Sequence, residues 1–324
     1  MLRVGLGVRD LANVRFAVSP LWEAVASVRV INNPRRFPQH LPWADRAGPR
    51  LAEVDWRPFG DLIPVPARVI PSFVCPPPAT SRPTLELELA ALVTTPPDLV
   101  RADLDQRPGP RPAGLADLYA DPPAGLARLA DAIRVYFDAA VAPYWPRMST
   151  LLDREVLIGA RRMAGDGVHG LLNQLNPYVR LVDDTLRVDL FSTSGTVRLD
   201  GSGLLLVPTV FGGPRIFTNL GTYGQPVLRY PAGAVGTLWE RPNRPADAAL
   251  GRVLGRTRAT LLHELAVPAS TTELAGRCDL TAGTVSQHLT ALRDAGLVTG
   301  YRTGRYLLYA RTAAAEALLV GAER

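Results

Sequence analysis

Apolar positions along this chain repeat first with a helical period, then with a period of two, then with a helical period again. Leu21, Ala24, Val25 and Val28 form a helical stripe behind Ser19-Pro20, an N-cap followed by a proline at the first helical position, and Pro34 ends the run. Residues 57–83 are studded with proline and predict irregular surface chain. Leu85, Leu87 and Leu89 alternate with Glu86 and Glu88, a strand pattern written in helix-forming residues, and both readings stay open. From about 123 to 176 the period is helical again. Leu126, Leu129, Ile133 and Phe137 mark one helix. Pro143 and Pro146 break the run around Tyr144-Trp145, a second helix carries Leu151, Leu152, Val156 and Met163, and Gly165-Asp166-Gly167 sets off a short third. The period then drops to two at Leu186, Val188 and Leu190 and at Val197 and Leu199. A turn at 200–203 leads into the apolar run 204–207, and Val227, Leu228 and Tyr230 suggest a further strand. This predicts an α+β region with a small antiparallel sheet.

Glu240-Arg241-Pro242-Asn243-Arg244-Pro245 reads as a linker, which places domains at 1–243 and 244–324. Beyond it, a helix is expected over 248–265, with Leu254, Leu261 and Leu265 on one side. Ser270 caps a short helix through Leu274 and Cys278, Asp279-Leu280 turns the chain, and Thr281 caps a third helix over 282–295. Gly296 suits a left-handed helix stop. Strands over 297–301 and 306–311 flank Arg302-Thr303-Gly304-Arg305, and a last helix covers 313–320. Helix, tight turn, helix and two-stranded wing make a winged helix-turn-helix. With Val285, Leu289 and Leu292 inward, the third helix turns Gly283, Thr284, Ser286, Gln287 and Thr290 outward, with His288 on its flank. Such small or amide side chains can enter the major groove. Gln287 suits a bidentate contact to adenine, Arg302 and Arg305 suit phosphates or the minor groove, and Thr281 with the helix start behind it suits a phosphate oxygen. A solvated face or a protein-binding winged helix is the plainer alternative, but such faces usually carry more charge.

Composition changes this picture little. The 324 residues are 47% hydrophobic and 20% charged, an ordinary globular balance. The net charge of +6 comes from 36 basic residues, all Arg, as a GC-rich genome would produce, so it permits nucleic-acid binding without arguing strongly for it. Cys75 and Cys278 are too far apart in sequence for a Cys-x-x-Cys site, which favours a reducing cytoplasm. Arg3, Arg9, Asp10, Arg15 and Glu23 interrupt the first thirty residues, so no signal peptide is expected, and no membrane partner.

Thr271-Thr272-Glu273-Leu274-Ala275, the run 280–289, Leu292-Arg293-Asp294-Ala295-Gly296-Leu297-Val298 and the wing 304–309 together resemble the ArsR-type regulators over about residues 248–322. The resemblance implies a dimeric DNA-binding repressor, released by a metal or another inducer, with dimer contacts from the helix before the motif and from the last helix. Metal-sensing members carry paired cysteines near the first helix of the motif or a His and carboxylate set on the last. Here only Cys278 lies near the first and the last helix has no His, so neither a metal nor another cofactor is expected. Residues 16–23, 203–208 and 236–240 resemble a companion domain of larger regulators of this type, for which the resemblance supplies no activity.

The remaining chemistry is sparse. Glu53, Asp55, Asp183 and Asp184 show no paired spacing, and Ser19, Ser192 and Ser194 sit in no nucleophile elbow. Gly5-x-Gly7 lacks a third glycine. His40, His169 and His263 read as ordinary surface histidines. Trp22, Trp43, Trp56, Tyr144 and Trp145 read as core, with a ligand pocket as the alternative. The expectation is a non-enzymatic, homodimeric regulator of double-stranded DNA with a small-molecule effector acting on the N-terminal part. The alternative is a ligand-binding or enzymatic N-terminal module whose winged helix binds protein.

Overall fold

The computed structural model describes residues 1–63, 70–106, 111–189, 194–220, 224–239, 245–303 and 306–322. Of the linker expected at 240–245, residues 240–244 lie outside the described residues, as do Leu190, Ser192 and the wing-tip Arg305, whereas Pro245 begins a helix rather than continuing a linker. The chain divides into two units, Met1–Gly236 and Thr237–Arg324.

Unit 1 begins with β1 (Leu2–Gly5), α1 (Val8–Ala12), β2 (Val14–Phe16) and α2 (Pro20–Asn32). Then come α3 (Leu41–Ala52), α4 (Arg57–Gly60), α5 (Leu85–Val93), α6 (Pro97–Asp105), α7 (Ala113–Ala120), α8 (Pro122–Ala140) and α9 (Trp145–Leu175). Its strands continue with β3 (Val179–Val182), β4 (Thr185–Val188), β5 (Gly195–Arg198), β6 (Leu204–Thr209), β7 (Phe217–Asn219) and β8 (Val227–Pro231).

Ser19 caps α2, its hydroxyl accepting from the Trp22 amide at 2.9 Å, and Pro20 sits at the first helical position. Thr84 settles the ambiguity at Leu85–Leu89: its side chain accepts from the Leu87 amide, and the segment is helix α5. The stripe Leu126, Leu129, Ile133 and Phe137 is buried on α8, which packs against α3, α4, α5 and α7. In α9 the predicted break survives as a kink at Gly167 (φ 67°).

The class is α+β, but the sheets are mixed where an antiparallel one was expected. One sheet has the order β3-β4-β1-β5, the other β2-β6-β8-β7. The adjacent pairs β3–β4 and β7–β8 are antiparallel, as their closeness in sequence favours. The strands of the first sixteen residues enter alongside distant ones: β1 lies parallel to β5, and β2 parallel to β6. The helices between them supply the crossover length that parallel pairing needs.

Two further expectations are corrected. Within 57–83 the described parts are neither wholly irregular nor wholly surface chain: Arg57–Gly60 is helix α4, and Phe59, Leu62, Ile63, Phe73, Val74 and Cys75 are buried, while residues 79–82 are exposed. His40 is no surface residue: it is fully buried, its ring 4.9 Å from that of Phe211, and burial pushes its pKa down to about 4.

Unit 2 consists of α10 (Pro245–Leu254), α11 (Arg256–Glu264), β9 (Ala269–Ser270), α12 (Thr271–Cys278), α13 (Ala282–Asp294), β10 (Val298–Thr303), β11 (Tyr306–Arg311) and α14 (Ala313–Ala322). The single helix expected over 248–265 is two, since Gly255 takes a φ of 85° that helical geometry forbids. Its core joins Leu261, Leu262, Leu274, Val285, Leu289, Leu292, Val298 and Tyr309.

Candidate nucleic-acid interface

The helix pair is built from local signals. Ser270 and Glu273 form a capping box: the Ser270 hydroxyl accepts from the Glu273 amide at 3.3 Å, and the Ser270 amide donates to the Glu273 carboxylate at 2.7 Å. Asp279 ends α12 in a left-handed conformation (φ 55°), and the Leu280 amide donates back to the Ala275 carbonyl at 3.0 Å. Thr281, extended, caps α13 by accepting from the Thr284 amide at 3.2 Å. Three residues therefore turn one helix into the next.

Val285, Leu289 and Leu292 anchor α13 with 0%, 0% and 1% exposure, and this fixes which face looks outward. Thr281, Gly283, Ser286, Gln287 and Thr290 are exposed, and Thr284 and His288 are half-buried. The hydroxyls of Thr281 and Thr284 lie 2.9 Å apart. The Thr290 hydroxyl donates to the Ser286 carbonyl at 3.0 Å, which leaves it an acceptor toward any outside group. The first turn of α13 carries no acidic residue, and the last turn carries Arg293.

The wing pairs β10 with β11, Arg302 opposite Leu307 and Thr303 opposite Tyr306. Arg302 is exposed. Sequence reasoning missed two parts. The two-residue β9 adds a third strand through Leu308 opposite Ser270. Arg311, at the end of β11, donates to the carbonyls of Leu262 (2.5 Å) and His263 (2.6 Å) in the last turn of α11, and reaches Glu316 of α14 at 3.4 Å. No local signal marks that role, since the carbonyls lie 48 and 49 residues back.

Cys278 is half-buried, and burial together with the Glu264 carboxylate pushes its thiol up to about 11. Such a thiol stays protonated near neutral pH and is a weak nucleophile. Among the described residues no group of three His, Cys, Asp or Glu gathers to hold a metal, and no helix is long and apolar enough to cross a membrane. On α14, Ala315 lies in the unit's core and Leu319 packs with Leu250 and Ala259 within the same chain, while Val253 of α10 is 79% exposed.

Two family profiles match the chain. One, described as a helix-turn-helix domain, covers residues 254–301, and the other, a family of unknown function (DUF5937), covers residues 100–236. No curated protein and no solved structure matches. The C-terminal unit thus carries a helix-turn-helix domain, the module of DNA-binding regulators.

Proposed function

We propose that the protein is an ArsR-type transcription regulator, a cytoplasmic homodimer that represses by placing α13 in successive major grooves of a near-palindromic operator. Half-sites would lie about 10 bp apart. The observation that carries this reading is the exposed, nearly uncharged face of α13, held by three buried anchors beside a wing that exposes Arg302. Bulky charged side chains would hold a helix away from base edges; Gly283, Ser286 and Thr290 let it approach. The Gln287 carboxamide offers the donor and acceptor that adenine presents in reverse. Arg302 and Arg305 supply phosphate contacts that carry no sequence information. The role needs no catalysis, and with neither a second cysteine beside Cys278 nor a His on α14 the effector is a non-metal one acting on unit 1. The exposed Val253 of α10 suits a dimer contact.

Fluorescence anisotropy with DNA from the protein's own upstream region, at two salt concentrations and against random competitor, tests the reading. Selective binding that weakens steeply with salt is expected. Gln287→Ala should cost about 1–3 kcal/mol at one base position and relax preference there. Arg302→Ala should weaken all sequences alike and lower the salt slope by about one. Equal loss on every operator variant for Gln287→Ala would remove its base-reading role.

A further inference from the structure

Between α2 and the second sheet of unit 1, rings and guanidinium groups alternate in a row. Phe217 of β7 lies opposite Arg229 of β8, so both side chains share one face of the sheet, and Asn219, two residues on, shares it too. The Arg29 guanidinium lies 4.8 Å from the Phe217 ring centre and 5.3 Å from that of Phe37. Phe217 meets Trp22 edge-on at 5.0 Å, and the Arg229 guanidinium lies 4.5 Å over the Trp22 ring.

Donors along this row end without acceptors among the described residues. Arg29 Nη1, Trp22 Nε1, Arg229 Nε and Asn219 Nδ2 are buried and unpartnered. All four are N–H groups, so what they lack is an acceptor.

The two arginines differ in compensation. Arg229 donates to the Cys75 carbonyl at 2.9 Å and sits in the field of the Glu88 carboxylate. Arg29 is 6% exposed, and burial, then the charges of Arg215 and Arg36, hold its pKa down at about 10. Its field is set by like charges, and the two rings offset only part of the cost of burying a cation. Phe217 and Arg215 are half-buried and Arg36 is exposed, so this end of the row reaches solvent.

We propose that Arg29 anchors a small-molecule site in unit 1, and that its ligand is an organic oxyanion, a carboxylate or phosphate ester, borne on an apolar body. A planar guanidinium fits such a group with two parallel hydrogen bonds. Phe217, half-buried at the solvent end of the row, supplies apolar surface for the body. The site lies within unit 1 and stands apart from whatever the helix-turn-helix binds.

Thermal unfolding of the full chain, followed by tryptophan fluorescence, tests this with benzoate, phenyl phosphate and inorganic phosphate against chloride at equal ionic strength. At saturation, benzoate or phenyl phosphate should raise the midpoint by about 3 °C or more, and inorganic phosphate by less. The larger of the two aromatic shifts identifies the headgroup. Arg29→Met keeps the bulk and removes the charge, and should weaken the anion's binding by about 10- to 100-fold. Should that variant fail to fold, Arg36→Ala, at an exposed position, reads the same site through a loss of about two- to fivefold. No shift with any of the three anions overturns the proposal. So does a shift that persists in both variants, or one that inorganic phosphate matches in full.

Discussion

Among the described residues, every buried polar or charged side chain belongs to unit 1, whereas the core of unit 2 is built from Leu, Val, Ala and Tyr309. In unit 2 the polar groups cap helix ends from the surface, through Ser270, Glu273 and Thr281. In unit 1 buried carboxylates pin backbone that helices and strands leave unsatisfied. Glu23 accepts from the amides of Val210 (2.8 Å) and Phe211 (3.1 Å). Glu88 accepts from the Ser19 hydroxyl at 2.6 Å and the Leu21 amide at 2.8 Å. Asp103 accepts from the Ser72 hydroxyl at 2.6 Å and the Phe73 amide at 3.0 Å. Unit 2 is held mainly by local caps, with Arg311 as a long-range pin, and unit 1 by several long-range polar pins; among the described residues, the buried donors of the Arg29 row lie in unit 1.

The sharpest break of this contrast is Glu23→Ala, which strands two buried amides and should cost about 2–6 kcal/mol. Urea unfolding followed by tryptophan fluorescence reads it, since Trp22 and Trp43 lie in the core of unit 1. A change within about 0.5 kcal/mol, the range of ordinary surface substitutions, would mean the pin is dispensable. The matching test in unit 2 is Leu289→Ala, expected to cost about 2–5 kcal/mol by leaving a cavity, read as faster amide exchange along α13.

A smaller effect follows from pH. Burial pushes Glu23 and Glu88 from 4.5 up to about 7, so the folded state holds their protons more tightly than the unfolded state does. That stabilisation is full below about pH 4.5, is lost as pH rises toward 7, and stays level above. His40, held down at about 4, works the other way below its ordinary 6.5. Two carboxyls outweigh one imidazole, so the urea midpoint of unit 1 should fall between pH 5.5 and 7.5. A midpoint that rises over that interval would remove the buried carboxyls as the cause. The smallest effect is Ser270→Ala, about 1 kcal/mol from a lost cap, seen as faster exchange confined to the first turn of α12.

The same contrast explains what the sequence made legible. Ser19, Ser270 and Thr281 each act within three residues, so their helices could be read directly, and Val285, Leu289 and Leu292 then fixed the outward face of α13. Gly255 was visible as a residue but not as a break, because glycine inside a helical stripe is often tolerated. The strands β1, β2, β3 and β7 are three or four residues long and put at most two apolar residues on one face, whereas the equally short β4 and β5 were legible because Leu190 and Leu199 extend their alternation in the sequence. Residues 57–83 looked like surface because proline marked them, whereas Asp103, about thirty residues on, holds part of that stretch inside. The Arg29 row joins residues of α2 to strands about 190 positions away, and no spacing rule reaches that far.

The mixed sheets also set a timetable for biosynthesis. Leu2 pairs with Gly195 and Val14 with Leu204, so strands made first find their parallel neighbours only some 190 residues later. At about 5–20 residues per second, translation takes roughly 10–40 s to deliver them. Through that interval Leu2, Val4 and Val14 wait for strands that are not yet made, whereas the helix-turn-helix, whose parts lie close in sequence, can close within seconds of its own synthesis.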